Sequence, residues 1–441
     1  MPDKKTIKAI KKTSKKKFDL QVPKGMRDVF AEGVLRKEKL YKVGRDIFEF
    51  YGFEQIETPI LEKEELFVRS VGSETDIVQK EMYAIKGGGS NKLVLRPEMT
   101  ASVMRSYLEN GMRKLPQPRR LYYRGPMFRK ERPQAGRFRQ FDQIGVEIVG
   151  GESDPIYDAQ VILIFYKMLE SLKLENIVVG VNSIGSDSDR QNYKKKLVDH
   201  YKKNEKKICP DCKRRLKTNP LRVLDCKVKE CQPIKDDAPI ILDNLTSVTK
   251  AHFKEVLEYL EELNVPYTLT PHLVRGLDYY SRTVFEIYQL GEESEPGLTL
   301  VAGGRYDYLA NVLGSKGVSG IGAAMGVDRV IEAVLEKDVN FGLPRKKDLA
   351  FLVHVGQLAK KKSMGLLEEL RGANINIVSN LGKTSLSSQL EKANKVGASI
   401  AIILGQKEVY EDNVILRNMK TGTQEDVPRN KLIKQLKKRL K

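Results

Sequence analysis

The 441-residue sequence contains no apolar run that approaches the roughly 18–20 residues needed to span a membrane as a helix. Its N-terminus also lacks the apolar core of a secretory signal peptide. The same segment is rich in lysine rather than in arginine and serine, which argues against a mitochondrial presequence. We therefore expect a cytoplasmic protein.

Cysteine is scarce, and two common nucleotide-binding fingerprints are missing. The four cysteines are too few for a disulfide framework in a chain of this length, and all of them fall between residues 209 and 231. No Gly-Lys-Ser/Thr follows a glycine after a four-residue gap, which excludes a P-loop. The segment "GIGAAMG" (320–326) lacks the downstream acidic residue of a dinucleotide-binding βαβ unit. Its glycines instead favour tight turns and close approach to the backbone.

Positive charge is abundant. Lys and Arg number 78 against 58 Asp and Glu, which gives a formal net charge of +20 and predicts attraction to polyanions. Residues 1–17 hold eight lysines, and residues 429–441 hold seven Lys or Arg without an acid. We predict that residues 1–19 form a disordered basic tail, which either binds RNA nonspecifically or is merely solubilising.

The length predicts two or three domains. In residues 349–441, apolar strands separated by helical stretches of about 15 residues predict βαβ units and a small α/β domain with a largely parallel sheet. Residues 341–348 are the predicted linker. The main domain is predicted over 20–340, and the charge-rich, cysteine-containing stretch of about 186–265 is interpreted as an insertion into it.

The segment from Tyr123 to Glu147 is the most informative part of the chain. Five arginines fall within residues 124–139 and phenylalanines interleave with them, before the apolar alternation of Ile144, Val146 and Ile148. This pattern predicts a strand, a basic loop and a second strand. Arginines held on a hairpin can bind phosphate through two parallel hydrogen bonds. The alternative is a solvated basic loop on a nucleic-acid-binding protein.

The same segment carries a family resemblance. "MFRKERP" followed by "GRFRQFDQ" resembles motif 2 of the class II aminoacyl-tRNA synthetases, and it is closest to the histidyl-tRNA synthetases. Four further segments resemble the same family in the same order: "PKGMRD", "LRPEMTA", "LVRGLDYYSRTVFEI" and "AGGRYDYLANVLG" with "GIGAAMGVDRV". The resemblance implies a mixed, mostly antiparallel class II sheet with helices, followed by an anticodon-binding-like α/β domain. The helix predicted from Leu35 to Tyr51 would belong to motif 1 and build a homodimer, although a core helix needs the same apolar face.

The resemblance implies a histidine–tRNA ligase that uses ATP, Mg²⁺, L-histidine and tRNA(His). Adenylate formation depends on positioning and on stabilising charge at the α-phosphate. By resemblance, Arg129 and Arg275 are the catalytic residues, and Arg129 also binds ATP together with Arg137, Phe141 and Arg329. Each arginine could instead form a structural ion pair. A histidine-sensing regulatory subunit of ATP phosphoribosyltransferase is the alternative from the same fold, and a generic basic RNA-binding protein is a third interpretation.

The resemblance also assigns the histidine pocket and the tRNA contacts. Glu98, Thr100 and Gln143 would face the amino group, Glu147 and Tyr280 the ring, and Tyr279 would line the pocket. Met99 stands where the family commonly has glycine, and Asp142 where it often has histidine. Without the resemblance, "RPEMT" would be interpreted as a helix cap. The residues implied for tRNA binding are Arg132, Gln134 and Arg139.

The four cysteines have two interpretations. Cys209 and Cys212 have the spacing of a metal-binding knuckle, and Cys226 and Cys231 could complete a four-thiolate zinc site. The second pair is separated by four residues instead of two, which weakens the match. Zinc is therefore considered but not expected, and reduced thiols are the predicted state.

Overall fold

The computed structural model describes residues 20–85, 92–133, 136–291, 296–336, 343, 348–382 and 385–440. The chain divides into two compact units, Met1–Phe341 and Gly342–Lys441. The predicted basic tail lies outside the described residues, as does most of the predicted linker. Among the described helices, none is both long enough and apolar enough to cross a membrane.

The first unit contains both helices and strands. In chain order they are α1 (Glu32–Phe50), β1 (Glu54–Gln55), β2 (Leu61–Lys63), α2 (Glu64–Val71), β3 (Tyr83–Ile85), β4 (Leu93–Leu95), α3 (Thr100–Glu109), β5 (Arg119–Phe128), β6 (Gln140–Val149), α4 (Pro155–Ser171), β7 (Ile177–Ser183), α5 (Asp187–Lys203), α6 (Pro210–Thr218), α7 (Gln232–Asp236), α8 (Ser247–Glu262), β8 (Tyr267–Leu269), β9 (Ser281–Leu290), β10 (Pro296–Arg305), α9 (Leu309–Val312), β11 (Gly320–Gly326) and α10 (Val327–Glu336). Short 3₁₀ turns at Pro220–Asp225 and Lys229–Cys231 lie between α6 and α7.

An eight-stranded sheet organises this unit, in the order β1-β5-β6-β11-β10-β9-β7-β8. The edge pairs β1–β5 and β7–β8 are parallel, and the pairs between them are antiparallel. A small antiparallel sheet has the order β2-β4-β3. The predicted mixed, mostly antiparallel sheet with helices is confirmed.

Strand β6 contributes side chains to both faces of the large sheet. Ile144, Val146 and Ile148 point into a core formed with α1, α4 and α8. Because side chains alternate along a strand, Phe141 and Gln143 lie on the opposite face. That face carries the candidate site.

Helices α4 and α8 pack together behind the sheet. Asp154 caps α4 by accepting a hydrogen bond from the backbone N–H of Ile156 (2.9 Å). Phe253, Val256 and Leu260 of α8 are buried in the same core as the apolar face of α4. Helix α8 therefore belongs to the main core, although it falls within the range that was interpreted as an insertion. The boundaries of that insertion stay a prediction.

The second unit is built on its own five-stranded sheet. Its elements are β12 (Ala350–His354), α11 (Gln357–Gly372), β13 (Ile377–Ser379), α12 (Leu386–Lys395), β14 (Ile400–Leu404), α13 (Gln406–Tyr410), β15 (Asn413–Asn418), β16 (Gln424–Pro428) and α14 (Arg429–Arg439). The order is β13-β12-β14-β15-β16. The first three strands are parallel, as predicted, whereas β15 and β16 extend the sheet in antiparallel fashion. The sequence interpretation had not included this terminal hairpin.

Candidate active site

One cavity opens on the face of β6 that carries Phe141 and Gln143. Strands β6, β10 and β11, the N-terminus of α3 and the segment 275–280 contribute to its wall. It brings together eleven residues predicted from the sequence: Glu98, Met99, Thr100, Arg129, Arg137, Phe141, Gln143, Arg275, Tyr279, Tyr280 and Arg329. Residues that are distant in the chain thus share one site.

Glu147 lies behind this wall rather than on it. Its side chain is fully buried. Its Oε1 accepts a hydrogen bond from the Thr100 hydroxyl (2.7 Å), and its Oε2 accepts one from the Tyr306 hydroxyl (2.6 Å). The Tyr123 hydroxyl lies 3.5 Å from Oε1. Thr100 and Tyr123 line the cavity and contact this carboxylate, so direct contact between Glu147 and a bound ring stays a prediction.

Burial raises the pKa of Glu147 to about 8. The Glu98 carboxylate also raises this pKa, whereas hydrogen bonds from Tyr306 and Thr100 oppose the change. A carboxyl group with such a pKa is mostly protonated near neutral pH, and the protonated form can donate a hydrogen bond as well as accept one.

Two glycines make room for these buried side chains. A Cβ at Gly322 would lie 1.7 Å from Oε2 of Glu147, and a Cβ at Gly145 would lie 2.3 Å from Cζ of Tyr123. Each glycine is paired across the sheet with the residue it accommodates. Neither glycine has a left-handed backbone. The requirement is therefore space for the facing side chain; Gly322 belongs to a segment whose glycines were predicted to allow close approach, whereas Gly145 was not singled out in the sequence.

Glu98 caps α3 and lines the cavity at the same time. Its two carboxylate oxygens accept hydrogen bonds from the backbone N–H groups of Thr100 (2.7 Å) and Ala101 (3.0 Å). The Tyr279 hydroxyl donates to Oε2 at 3.3 Å. Burial raises the pKa of Glu98, and the two backbone hydrogen bonds oppose that change. Both interpretations of this segment, helix cap and binding residue, are compatible with the geometry.

The two departures from the family pattern are accommodated without strain. Met99 has φ −114° and ψ −24°, an ordinary conformation that does not require glycine. Its sulfur lies 3.4 Å from the Thr58 hydroxyl oxygen. Asp142 accepts a hydrogen bond from Lys37 of α1 (2.6 Å), so its side chain pairs with the helix-covered face of β6. Lys37 also pairs with Asp328 (3.2 Å).

Arg129 is held against the cavity wall by a backbone contact. Its Nε donates to the carbonyl of Pro97 at 2.9 Å. Its guanidinium carbon lies 5.3 Å from the ring centre of Phe141, at cation–π distance. Within the described residues, no carboxylate oxygen lies at ion-pairing distance from this guanidinium.

Arg275 reaches the same cavity from the segment before β9. Its Nη1 bonds to Oε1 of Glu286, and Oε2 of Glu286 accepts a hydrogen bond from Thr299 (2.9 Å). Burial lowers the pKa of Arg275, but the charges of Glu286 and Asp225 together with the neighbouring Tyr279 and Tyr280 raise it, so the pKa is raised overall. The side chain therefore does form an ion pair, and it also faces the cavity.

Arg329 and Arg137 form a cationic group with Arg129. Nε and Nη1 of Arg329 donate to the carbonyls of Gly136 (3.1 Å) and Thr299 (3.0 Å). Burial lowers the pKa of Arg329, and the charges of Arg137 and Arg129 lower it further, whereas the carboxylates of Glu131 and Glu286 oppose the change. Such mutual repulsion indicates a site prepared for an anion with several charges.

The residues predicted to contact tRNA have different environments. Arg132 is exposed. Arg139 stabilises its own loop, because Nε donates to the Glu131 carbonyl (3.3 Å) and Nη1 donates to the Lys24 carbonyl (3.3 Å). Gln134 lies outside the described residues. Binding of tRNA by these side chains stays a prediction.

The four cysteines are free and lie close together. The Sγ atoms of Cys209, Cys212, Cys226 and Cys231 all lie within 4.8 Å of one another. The irregular spacing of the second pair does not prevent this arrangement, because the 3₁₀ turn Lys229–Cys231 brings Cys231 back towards the others.

The sequence interpretation missed Tyr123 and Tyr306. Both hydroxyls lie close to Glu147, and Tyr123 lines the cavity. The glycines that face these rings are the one signal in the sequence. A Cβ at Gly320 would lie 2.0 Å from the Tyr306 ring, and Gly145 leaves room for Tyr123 in the same way. The strand pairing decides which glycine faces which tyrosine ring, and a single sequence does not give that pairing.

Comparison with protein families identifies the two parts of the chain. The family model described as "Histidyl-tRNA synthetase" matches residues 25–330. The model described as "Anticodon binding domain" matches residues 350–439. Together they cover most of the chain.

Curated relatives match nearly the whole length. The "Histidine--tRNA ligase" of Thermosipho melanesiensis is 43% identical over 415 residues, which is 93% of this chain and 96% of the relative. Proteins with the same description from Thermodesulfovibrio yellowstonii and Geobacillus thermodenitrificans are 41% and 40% identical. They cover 94% and 96% of this chain, and 98% and 99% of their own lengths are matched.

Solved structures agree with the sequence relatives. The crystal structure of apo S. aureus histidyl-tRNA synthetase aligns with a TM-score of 0.77 at 33% identity, over 95% of this chain and 100% of that one. A structure from Bacillus halodurans described as an ATP phosphoribosyltransferase regulatory subunit/histidyl-tRNA synthetase aligns with a TM-score of 0.61 at 22% identity over 88% of this chain and 99% of that one, which shows the fold alone. The chain thus belongs to the histidyl-tRNA synthetase family, and the resemblance noted in its sequence is confirmed.

Proposed function

We propose that the chain is a histidine–tRNA ligase, which activates L-histidine with ATP and transfers the histidyl group to the 3′ end of tRNA(His). Membership of the family supports this activity. The observation that carries the proposal is the convergence of Arg129, Arg275 and Arg329 on one cavity. Buried tyrosines and a carboxylate line another part of the same cavity.

In the first step, a carboxylate oxygen of histidine attacks the α-phosphorus of ATP, and pyrophosphate leaves. The chemical difficulty lies in bringing two anions together and in stabilising charge on the phosphoryl oxygens. Arg129 and Arg275 act on the α-phosphate, while Arg329 and Arg137 hold the leaving phosphates. Their mutual repulsion supports this assignment, since bound phosphates would relieve it.

Phe141 offers its ring to the adenine, beside Arg129. Magnesium commonly binds through substrate phosphates and one or two carboxylates, and it neutralises phosphate charge. Glu131 is a carboxylate that lines the cavity, and it would exchange its pairing with Nη1 of Arg137 (3.5 Å) for the ion. Glu131 would then hold the ion while Arg137 contacts the phosphate.

Histidine occupies the part of the cavity lined by tyrosines. Glu98, Thr100 and Gln143 accept hydrogen bonds from the α-ammonium group. Tyr280 contacts the imidazole, and Tyr279 lines the pocket. Glu147 faces the imidazole from behind the Thr100 and Tyr123 hydroxyls, which contact its carboxylate. Buried polar groups of this kind discriminate against ligands that leave them unpaired, by about 10⁴-fold where the site is built for such bonds.

The remaining assignments concern partners. Arg132, Gln134 and Arg139 contact the acceptor end of tRNA(His), and the second unit contacts its anticodon, which the match to an anticodon-binding domain supports. A homodimer is proposed through α1. Exposed apolar side chains at Phe30, Leu35 and Phe50 support that proposal. A cytoplasmic location is proposed with it.

ATP–pyrophosphate exchange with each of the twenty amino acids tests the function. Exchange should depend on histidine. Histidine binding without exchange would instead support a regulatory paralogue, and exchange with another amino acid would overturn the substrate. The second unit and the placement of Arg275 in the cavity favour the ligase over that paralogue.

A further inference from the structure

The four cysteines form a compact cluster between α5 and α7. Cys209 caps the N-terminus of α6, and Cys212 lies in the first turn of that helix. Cys226 follows the 3₁₀ turn Pro220–Asp225, and Cys231 ends the turn Lys229–Cys231. Three of the four are buried. Two separate loops therefore contribute two thiols each to one point.

The sulfur positions match the size of a single tetrahedral metal site. Zinc–sulfur bonds of about 2.3 Å place the sulfurs of a tetrahedron about 3.8 Å apart. The Sγ atoms of Cys209 and Cys226 are 3.8 Å apart, and all four sulfurs lie within 4.8 Å of one another. Disulfide-bonded sulfurs would be only about 2.05 Å apart. The arrangement is thus the size of a single-ion site and not of a disulfide pair.

Backbone donors also face the sulfurs. The N–H of Cys209 donates to Sγ of Cys231 at 3.2 Å, and the N–H of Cys212 donates to Sγ of Cys209 at 3.4 Å. Hydrogen bonds to a thiolate stabilise its charge, and metal ligands are commonly oriented by contacts of this kind. A cluster of neutral thiols in an apolar core would gain much less from them.

We propose that Cys209, Cys212, Cys226 and Cys231 bind one Zn²⁺ ion as a closed, structural site. Four thiolates complete the tetrahedral coordination, which leaves no position for a substrate. The ion therefore stabilises the local fold and takes no part in the chemistry.

The proposed zinc site constrains the segment between Cys212 and Cys226, and this segment contacts the loop that carries Arg275. Between Cys212 and Cys226, Asn219 donates to Oδ1 of Asp278 (2.7 Å), and Arg222 donates to the Gly276 carbonyl (3.3 Å). Arg222 is itself held by Asp225 (2.9 Å), next to Cys226. Zinc binding closes this segment into a ring and so positions Arg275, a consequence that rests on the proposed function.

Metal analysis of untagged protein, purified without chelator, tests the site directly. We expect about one zinc per chain, and Co²⁺ exchange should give thiolate-to-cobalt charge-transfer absorption. Cys226→Ser and Cys231→Ser should lose the metal, while Cys231→His, which keeps a ligand, should retain it. Val223→Ala is the control, since it removes a buried methyl pair near the cluster but no ligand. Absence of metal from the wild-type protein, or iron in place of zinc, would overturn the proposal.

Pyrophosphate exchange after zinc removal tests the positioning of Arg275. The kcat should fall roughly 10- to 100-fold with an unchanged KM for histidine, and added Zn²⁺ should restore it. Unchanged exchange in metal-free protein would overturn the positioning role and leave the site intact. Stoichiometric zinc in a protein without any exchange activity would instead contradict the proposed function alone.

Discussion

The two ends of the cavity are built on different principles. At the tyrosine end, Glu98 and Glu147 are buried and surrounded by hydroxyl and backbone donors. At the arginine end, Arg129 and Arg329 are held by backbone carbonyls, and in the described part of the chain no carboxylate oxygen lies at ion-pairing distance from either of them. One end has its hydrogen bonds satisfied before a ligand arrives, and the other places two arginines without an ion pair beside the paired Arg275 and Arg137.

This contrast separates selectivity from catalysis. A satisfied, buried network rejects ligands that cannot replace its bonds, because an unpaired polar group costs about 1–3 kcal/mol. An unbalanced cationic site instead gains energy when negative charge arrives or is redistributed, as in phosphoryl transfer. Substitutions at the arginine end should therefore reduce kcat, and substitutions at the tyrosine end should raise the KM for histidine.

Arg275→Ala should have the largest effect. Loss of a preorganised cation at the reacting phosphate should lower the kcat of histidine-dependent pyrophosphate exchange by about 10²- to 10³-fold. The fold should survive, as measured by circular dichroism. Arg69→Ala, which removes a surface arginine paired with Glu65, is the matched control and should leave exchange unchanged. Unaltered exchange in Arg275→Ala would refute the catalytic role.

Glu147→Ala should act mainly on histidine binding. Removing this carboxylate leaves the hydroxyls of Thr100 and Tyr306 without their acceptor, so the KM for histidine should rise about 10- to 100-fold. The KM for ATP should change little. Replacement of the exposed Glu109 by alanine is the control. If the KM for histidine stays the same, Glu147 does not shape the pocket.

Gly322→Ala tests the packing of the tyrosine end. The added Cβ would collide with Glu147 and lie 2.7 Å from the Val146 carbonyl oxygen, so the free energy of unfolding should fall by about 1–3 kcal/mol. Gly365→Ala in α11 meets no heavy atom within 4 Å and should be neutral or slightly stabilising. Equal stability of the two variants would show that β11 can shift to admit the methyl group.

The pH dependence of stability tests the burial of Glu147 at the tyrosine end of the cavity. Because the pKa of Glu147 is raised to about 8, the folded protein keeps a proton that the unfolded chain releases near pH 4.5. The contribution of Glu147 to stability is thus fully present below about pH 4.5 and is lost as the pH rises towards 8. Glu147→Gln should gain stability relative to the wild type between pH 5 and pH 8 in urea denaturation. A difference that does not change with pH would contradict this environment.

Local patterns predicted the parts of the fold that local physics determines. The alternation of Ile144, Val146 and Ile148 predicted a strand, and in the structure these three residues lie on one face of β6, opposite Phe141 and Gln143. The parallel strands of the second unit followed from apolar runs and helical spacing. The β15–β16 hairpin was missed because β16 is short and polar, with a single buried residue, Val427.

Contacts between distant residues could not be predicted from one sequence. Tyr306 and Glu147 are 159 positions apart, and nothing in the local sequence links them. The clustering of the cysteines likewise depends on how two loops fold against each other. Family resemblance supplied the convergence of the arginines, but it did not indicate that Glu147 lies behind the wall or that Arg139 stabilises its own loop.

A crystal structure with L-histidine and a non-hydrolysable ATP analogue would test the central claim most directly. We predict that the α-phosphate lies within hydrogen-bonding distance of Arg129 and Arg275, and that the imidazole points towards Tyr280 and the hydroxyls around Glu147. A triphosphate bound away from these arginines, or an imidazole directed towards Arg329, would contradict the account.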